Sequence, residues 1–346
     1  MLSCRNLWKI YGANPSALLN KSEKQLTREG RSALIQRIRD ASHIPAACDV
    51  SFDVNVGEIF VIMGLSGSGK STVLRCLSRL IEPTAGSVMI EEQNLLEMPA
   101  RELIELRRHK MGMVFQNFGL LPHQTVLDNV AFPLKVQGIG RRERERRAME
   151  MIEMVELQDR EHAFPRELSG GQQQRVGIAR SLAVNPKIWL LDEPFSALDP
   201  LIRRQMQDEF LRLQKLLHKT IVFITHDFIE ALRVADRVAI MKDGEFVQVG
   251  NPAEVVLNPA SNYVAAFTKD VPRAKVLRVR NIIEPFTDEL SAAAAVPDSM
   301  TLEELLPHIA GCPGPLPVTD SSGQLIGRVS HSVVLKALAS ASEAPE

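Results

Sequence analysis

The sequence predicts an α/β domain built on a buried parallel sheet. Three short, continuous apolar runs, at 58–63, 188–191 and 221–225, are typical of parallel strands that are buried on both faces. Each run is followed by a glycine-rich turn or by polar residues. Because the carboxyl ends of parallel strands meet at one edge of a sheet, we expect the residues after these runs to form one nucleotide-sized cleft.

Length and composition favour a globular chain of two domains. The 346 residues exceed the roughly 100–200 of a typical single domain, and 45% of them are hydrophobic. Lys and Arg total 41 against 42 for Asp and Glu, so no net field attracts nucleic acid. The four cysteines have neither metal-ligand spacing nor a CxxC pair, and no apolar run approaches the ~18 residues of a membrane span. We therefore expect any membrane role to depend on a partner protein.

The pattern along the chain predicts how the domains are arranged. An opening strand at 2–9 and a second strand near 50–54 flank a polar, partly helical insertion at 14–44, to which we assign no chemistry. A charged, amphipathic helix is predicted at 140–157. We expect a nucleotide-binding domain over 1–270, with a helical subdomain at about 110–180, and a linker and small module over 271–346.

The segment after the first apolar run predicts a phosphate site. It reads GLSGSGKST and opens a helix expected at 72–80, which is the strand, glycine-rich loop and helix context of a P-loop. The glycines allow backbone N–H groups to surround phosphate oxygens, Lys70 would neutralise the β and γ phosphates, and the Ser71 hydroxyl would ligate Mg²⁺. The residues predicted to bind ATP here are Gly64, Ser66, Gly67, Ser68, Gly69, Lys70, Ser71 and Thr72.

Two carboxylates follow the second apolar run. Asp192 suits a direct or indirect Mg²⁺ ligand, and Glu193 is placed to orient or deprotonate an attacking water. A strand that ends in two acids is common by itself. Together with the P-loop it predicts nucleotide hydrolysis.

A second glycine-rich helix start lies in the segment LSGGQ. Here Ser169, Gly170, Gly171 and Gln172 would cap a helix at 172–184 and leave backbone N–H groups free to bind an anion. If this start does not reach the P-loop within one chain, a head-to-tail dimer with two-fold symmetry would supply it from the second copy.

These motifs resemble the ATP-binding subunits of ABC transporters, whose signature is LSGGQ between a P-loop and a strand ending in Asp-Glu. The resemblance covers about residues 1–270 and implies further roles. Gln116 is similar to the glutamine that contacts Mg²⁺ and the water, Asp199 closes a loop (196–199) that couples the two sites of a dimer, and His226 is similar to the histidine that contacts the γ-phosphate. Tyr11 is similar to the aromatic residue that stacks on adenine, with Trp8 as its competitor.

Within that family the stretches at 58–86 and 114–134, and the insertion, are most similar to ATPases of quaternary-amine importers. The resemblance implies an ATP- and Mg²⁺-dependent ATPase for glycine betaine, choline, proline or a related osmoprotectant. Its partners would be a second copy, integral membrane permease subunits and, indirectly, a periplasmic or lipid-anchored substrate-binding protein, with the chain peripheral on the cytoplasmic face of the inner membrane. The permease would place short helices in a groove around residues 116–122, where Phe118, Leu120 and Leu121 would be exposed apolar anchors. Alternatives are an importer ATPase for histidine or another amino acid, an ABC ATPase that acts on nucleic acid, and a nucleotide sensor without turnover.

The tail at 317–338 resembles one degenerate cystathionine-β-synthase-type (CBS) motif. Val333 stands where that motif carries a ribose-binding acid, so we expect weak adenine-nucleotide binding or none. We expect the apolar residues of the tail to bury a face against the ATPase domain or a second copy; they are Leu316, Val318, Leu325, Ile326, Val334 and Leu335. A regulatory role and a packing role both stay open.

Overall fold

The structure is a computed structural model that describes residues 2–19, 27–269, 271–285 and 294–339. The chain divides into two compact units, one of residues 1–230 and 239–246 and the other of residues 231–238 and 247–346. The predicted domain boundaries at residue 270 and at about 110–180 stay predictions. Among the described residues, every helix is too short or too polar to cross a bilayer.

Strands and helices are interspersed along the chain. The strands are β1 (Leu2–Tyr11), β2 (Ile44–Val54), β3 (Ile59–Met63), β4 (Ala85–Ile90), β5 (Gln93–Asn94), β6 (Met111–Val114), β7 (Ile188–Asp192), β8 (Thr220–Thr225), β9 (Arg237–Lys242), β10 (Glu245–Gly250), β11 (Val296–Pro297), β12 (Leu316–Thr319) and β13 (Leu325–Val329). The α-helices are α1 (Arg28–Asp40), α2 (Lys70–Leu77), α3 (Ala100–Lys110), α4 (Val126–Val136), α5 (Arg141–Met154), α6 (Gly170–Leu182), α7 (Pro200–Leu217), α8 (Phe228–Val234), α9 (Pro252–Leu257), α10 (Asn262–Thr268), α11 (Arg273–Val276), α12 (Leu302–Ala310) and α13 (His331–Ala339).

The predicted parallel sheet is confirmed. Its strand order is β10-β9-β3-β8-β7-β6, and β3, β8, β7 and β6 pair in parallel. Every residue of β3, β7 and β8 is buried, as the continuous apolar runs indicated. The first of these strands starts at Ile59 rather than at residue 58, because the Glu58 carboxylate instead accepts hydrogen bonds from the backbone and side-chain amides of Asn55 (2.7 and 2.9 Å) and closes the turn before the strand.

The predicted antiparallel element is a second sheet with the order β2-β1-β4-β5. Its second strand starts at Ile44, well before the predicted 50–54. The insertion contributes one helix, α1, whose Leu34, Ile35 and Ile38 pack with Trp8 of β1 in a small core. Burial of this apolar stripe explains why the insertion folds onto the sheet. Residues 20–26 of the insertion lie outside the described part.

Both glycine-rich helix starts lie earlier than predicted. Helix α2 begins at Lys70 rather than at 72, and α6 begins at Gly170 rather than at 172. At α6 the reason is a reciprocal cap: Ser169 Oγ accepts the Gln172 N–H (3.3 Å), and Gln172 Oε1 accepts the Ser169 N–H (3.0 Å). The cap residue therefore sits immediately before the glycines, as its sequence position suggested.

The tail of the second unit is built around one apolar core. Strand β12 pairs in parallel with β11 and antiparallel with β13, and α12 and α13 add their apolar sides to the same core. Ala253 of α9, a residue of the predicted domain 1–270, lies in this core as well. Leu316, Val318 and Val334 are buried there, so in the single chain they are not available to a second copy. Three other residues of the expected face are exposed in the single chain, namely Leu325, Ile326 and Leu335. Residues 286–293, which include part of the alanine-rich linker, lie outside the described part.

Candidate functional site

The glycine-rich loop between β3 and α2 fits closely against neighbouring backbone. Gly64 and Gly69 have left-handed φ angles of +157° and +104°. A Cβ atom would lie 2.2 Å from the Met241 carbonyl oxygen at Gly64 and 2.0 Å from the Ala46 carbonyl oxygen at Gly69. Both positions therefore require glycine, for conformation as well as for space.

The Lys70 side chain lies beneath this loop. It is 4% exposed, and its Nζ donates to the carbonyl oxygens of Gly64 (2.8 Å) and Leu65 (3.0 Å). Burial lowers the pKa of Lys70, while the nearby carboxylates of Asp192 and Glu193 act in the opposite direction. The site thus holds one buried cation beside two acids.

The last residue of β7 meets the first turn of α2. The Asp192 carboxylate is buried, accepts a hydrogen bond from Ser71 Oγ (3.1 Å) and lies 3.4 Å from Arg75 Nη2. Burial raises the pKa of Asp192, and Ser71 and Arg75 oppose that rise. The structure therefore brings together two of the three residues predicted as magnesium ligands, Ser71 and Asp192, which lie 121 positions apart in the sequence.

Glu193 adopts a strained backbone conformation with φ at +45°. A left-handed non-glycine residue costs roughly 1–3 kcal/mol and persists only where its surroundings hold it. Here its N–H donates to the Ile224 carbonyl (3.0 Å), and its carbonyl accepts from the N–H and hydroxyl of Ser196 (3.3 and 3.0 Å). The carboxylate then meets two predicted partners, Gln116 Nε2 at 3.4 Å and His226 Nδ1 at 2.9 Å.

These groups surround one open cavity of about 600 Å³. Its lining residues are Ala46, Ser66, Gly67, Gly69, Lys70, Ser71, Thr72, Gln116, Asn117, Glu193, Ser196, Ala197 and His226. Ala46 and Asn117 are not among the residues that the sequence predicts for the site. Asn117 directly follows the predicted site residue Gln116, so its sequence position could have indicated that it lines the cavity. Ala46 lies on β2, where no motif in the neighbouring sequence indicates a site residue.

Other predicted site residues lie outside this cavity. The start of α6, from Ser169 to Gln172, does not line it, and Asp199 caps α7 by accepting two backbone N–H groups at 3.1 Å. Tyr11 is 38% exposed, and Lys9 Nζ lies 4.8 Å from its ring centre. Trp8, the competitor for adenine stacking, is buried in the core beside α1 and is not accessible to a base.

The segment predicted to offer apolar anchors to a membrane partner differs from the expectation. Phe118, Leu120 and Leu121 are partly buried rather than exposed. Arg180 holds the segment from beneath by donating to the carbonyl oxygens of Phe118 (2.9 Å) and Gly119. The exposed apolar side chains at this surface are instead Phe115, Phe132 and Val136, which line a groove of about 370 Å³.

Comparison with known proteins places the chain in a family. Residues 47–196 match the family model described as ABC transporter. The chain is 52% identical over 336 residues to the trimethylamine N-oxide transport system ATP-binding protein TmoW of Pelagibacter ubique, an alignment that covers 97% of this chain and 96% of that relative. It is 41% identical to the glycine betaine/proline betaine transport system ATP-binding protein ProV of Salmonella typhimurium, over 97% of each chain.

A solved structure gives the same result for the fold. The dimeric structure of MJ0796, a bacterial ABC transporter cassette, superposes with a TM-score of 0.60 and 36% sequence identity, over 73% of this chain and 99% of that one. Another structure of MJ0796, in a dimeric post-hydrolysis state bound to ADP and Pi, has a TM-score of 0.59. The predicted P-loop α/β fold is therefore confirmed. By sequence and by fold, this chain belongs to the family of ABC transporter ATP-binding subunits.

Proposed function

We propose that the chain is the ATP-hydrolysing subunit of an ABC importer for a small methylated amine. The observation that carries this proposal is that Lys70, Glu193 and His226 line one cavity, although they follow three separate strands. The buried Asp192 is hydrogen-bonded to Ser71, which lines the same cavity. ATP is the substrate of the family, and the cavity is large enough for its triphosphate.

The glycine-rich loop would bind the phosphates. Its backbone N–H groups and the N-terminus of α2 favour an anion, and Lys70 adds a full positive charge at the same place. In the structure the Lys70 ammonium group is bonded to two loop carbonyl oxygens, so it is already oriented within the loop. The residues of this loop therefore bind and neutralise the group that is transferred.

Ser71 and Asp192 fit a magnesium ion. Their side-chain oxygens lie 3.1 Å apart, and hard oxygen donors are what Mg²⁺ prefers. The described residues contain no cluster of three or more His, Cys, Asp or Glu side chains, which agrees with an ion held by few protein ligands and by the substrate. When bound, Mg²⁺ would neutralise charge on the phosphates, and Gln116 would complete its surroundings.

Glu193 would orient or deprotonate the water that attacks the γ-phosphate. Its strained backbone directs the carboxylate toward Gln116 and His226, which hold the same oxygen, Oε2. This contact with His226 restrains the carboxylate, and general-base catalysis needs such a fixed geometry. A sensor without turnover would need neither the strain nor these two contacts.

A second copy of the chain would complete the site. Ser169 is exposed, Gly170 leaves space in front of the α6 start, and neither residue lines the cavity of its own chain. The relative MJ0796 is described as a dimer. A head-to-tail pair would bring each α6 start to the P-loop of the other copy, with Asp199 near the contact and Tyr11 stacked on adenine.

The groove beside α4 would receive a membrane permease. Phe115, Phe132 and Val136 expose apolar surface there, and Arg107 and Arg180 line the same groove. An amphipathic helix with an acidic edge fits such a groove. The chain would then act at the cytoplasmic face of the membrane, with a substrate-binding protein delivering the solute to the permease from the other side.

The relatives narrow the solute. Two proteins named as trimethylamine N-oxide ATP-binding subunits are 52% and 53% identical over nearly the full chain, against 40–41% for the two glycine betaine/proline betaine relatives. The glycine betaine transport ATP-binding protein OpuAA of Bacillus subtilis also reaches 53%, but over 67% of this chain. We therefore place trimethylamine N-oxide first and glycine betaine second. Both are small dipolar amines with a methylated nitrogen.

Uptake assays test this function. Cells that carry the transport system but lack this chain would take up labelled trimethylamine N-oxide only when the wild-type chain is restored, and Lys70→Ala would not restore it. Glycine betaine, choline and histidine serve as competing solutes. Full uptake without the chain, or with Lys70→Ala, would contradict the proposal, and stronger competition by histidine would assign the system to amino acids.

For the tail we propose a CBS-like packing module. Its β-α-β-β-α order and the packing of these elements around one apolar core support this proposal. Ser330 Oγ is bonded to Ser332 Oγ (3.0 Å) and to the Val333 N–H (3.4 Å), so the hydroxyl is already occupied. Val333 offers no acceptor for a ribose.

A further inference from the structure

The loop that presents His226 depends on neighbours outside the cavity. The His226 side chain is 50% exposed, and its ring is bonded to Glu193. Packing restrains a half-exposed ring only weakly, so its position is set by the backbone of residues 225–227. Two separate contacts hold that backbone.

The first contact joins Thr225 to Glu230. The Thr225 hydroxyl is buried, donates to Glu230 Oε2, and accepts the Asp227 N–H at 3.0 Å. Glu230 is 4% exposed and is also bonded to Gln207, and burial raises the pKa of its carboxyl to about 7. A buried acid is costly unless it is hydrogen-bonded, so this pair is a specific arrangement that closes the turn around His226.

The second contact joins Arg203 to Asp227. Arg203 Nη1 lies 3.3 Å from Asp227 Oδ2, and Nη2 of the same guanidinium donates to the Leu198 carbonyl (3.2 Å). The other carboxylate oxygen of Asp227 accepts two backbone N–H groups at the start of α8. Arg203 therefore bridges the segment 196–199 to the residue directly after His226.

This network has one spare donor and one spare acceptor. Arg203 Nε and Glu230 Oε1 are buried and have no hydrogen-bond partner among the described residues. The Arg203 charge also acts on Glu230, where it opposes the effect of burial on the pKa. Leaving such buried atoms unpaired is unfavourable, so the hydrogen bonds of this network are not all satisfied in the single chain.

We propose that Arg203 and Glu230 are positioning residues for hydrolysis. Glu230 holds the backbone of residues 225–227, which presents His226. Arg203 links that backbone to the segment 196–199, so the position of His226 depends on that segment. This inference rests on the proposed function, in which 196–199 faces the second copy. Closure of the dimer would then change the position of His226 through the Arg203–Asp227 contact.

Five variants of the full-length chain test the network. Arg203→Lys keeps the charge but cannot bridge two acceptors in the same way. Asp227→Asn keeps the helix cap but loses the ion pair. Glu230→Gln keeps an acceptor for Thr225, and Glu230→Leu removes it. Arg212→Lys is the matched control, because Arg212 lies on the same helix and bonds to Glu209 and the Met154 carbonyl instead.

The readouts are kcat and KM of ATP hydrolysis, ATP affinity measured at a concentration that keeps the chain monomeric, and thermal unfolding. We expect Arg203→Lys, Asp227→Asn and Glu230→Leu each to lower kcat by about tenfold, with monomer ATP affinity within about twofold of wild type. The Arg203→Lys/Asp227→Asn double variant should be no slower than the slower single variant. Glu230→Gln and Arg212→Lys should keep at least about half of the wild-type kcat.

Three results would overturn the proposal. They are wild-type kcat in Asp227→Asn or Glu230→Leu, losses that multiply in the double variant, and a loss of ATP affinity as large as the loss of kcat. ATP hydrolysis by the wild-type chain is measured alongside the variants. An inactive wild-type chain would count against the proposed function, whereas an active wild-type chain with any of the three results above would count against this inference alone. A purely structural role would lower the unfolding temperature and leave kcat per folded molecule unchanged.

Discussion

The two glycine-rich helix starts, at α2 and α6, share a sequence signal but differ in their surroundings. The start of α2 has no side-chain cap, and its Lys70 lines one cavity together with Glu193. Asp192 is hydrogen-bonded to Ser71 in the first turn of α2. The start of α6 is capped by Ser169, and its glycines do not line that cavity. Glycines at the start of a helix favour anion binding in both places, but only the first start lies beside the charged residues that hydrolysis requires. In the proposed function the second start is half of a site that a second copy completes.

The largest expected effect concerns the complete site. Glu193→Gln removes the group that would act on the attacking water but leaves Lys70 and the loop intact. Turnover should fall by about a hundredfold or more, while ATP still binds and holds a dimer together. Steady-state hydrolysis and light scattering with ATP measure both properties. Near-wild-type turnover, or a variant that stays monomeric with ATP, would remove Glu193 from its assigned role.

The start of α6 should affect ATP hydrolysis only in the dimer. Ser169→Arg places a bulky cation where the γ-phosphate of the other copy would bind, so hydrolysis should be lost while monomer ATP affinity changes by no more than about twofold. Ser169→Thr is the control, since threonine also caps helices.

Mixing variants tests the geometry of the pair. A dimer of Ser169→Arg with Lys70→Ala has one intact P-loop facing one intact α6 start, so the mixture should recover part of the hydrolysis that each variant lacks alone. If Ser169→Arg weakens ATP binding by a monomer, the start of α6 acts within its own chain and the comparison between the two starts fails.

A matched glycine pair gives a smaller effect. Gly69→Ala puts a Cβ atom 2.0 Å from the Ala46 carbonyl at a left-handed φ, so it should lower the free energy of unfolding by about 1–3 kcal/mol and abolish ATP binding. Gly170→Ala meets only a Leu198 methyl group at 3.7 Å, and its unfolding and monomer ATP binding should be unchanged. Denaturant titration and nucleotide binding measure the pair. Equal losses of stability and of ATP binding at both positions would contradict the proposed difference between the starts of α2 and α6.

The smallest expected effect is in the tail, where Ser330 lies before α13 as Ser169 lies before α6. Its hydroxyl is occupied by local bonds, and Val333 cannot accept a ribose hydroxyl. We expect the full-length Lys70→Ala variant to bind AMP weakly or not at all in calorimetry. Val333→Asp is the companion variant. Micromolar AMP binding that Ser330→Ala abolishes would make the tail a nucleotide site.

Local signals made much of the site predictable. The motif GLSGSGKST, the acids after an apolar strand and the serine before two glycines each describe a few consecutive residues whose conformation depends on their own side chains. Tyr11 and Trp8 show the limit, since both are aromatic residues of one strand. Only the packing of Trp8 against α1 distinguishes the buried ring from the accessible one.

By itself the sequence determined the parallel sheet, the P-loop, the acids at the end of β7 and the cap of α6, because these follow from periodicity and from bonds between near neighbours. Tertiary structure decided which separate segments meet. The strand order brings Ser71 to Asp192 and His226 to Glu193 and holds Glu193 in its left-handed conformation. Tertiary packing also leaves Phe118 partly buried while Phe115 stays exposed. Such contacts depend on pairing between strands far apart in the chain, so no local pattern specifies them.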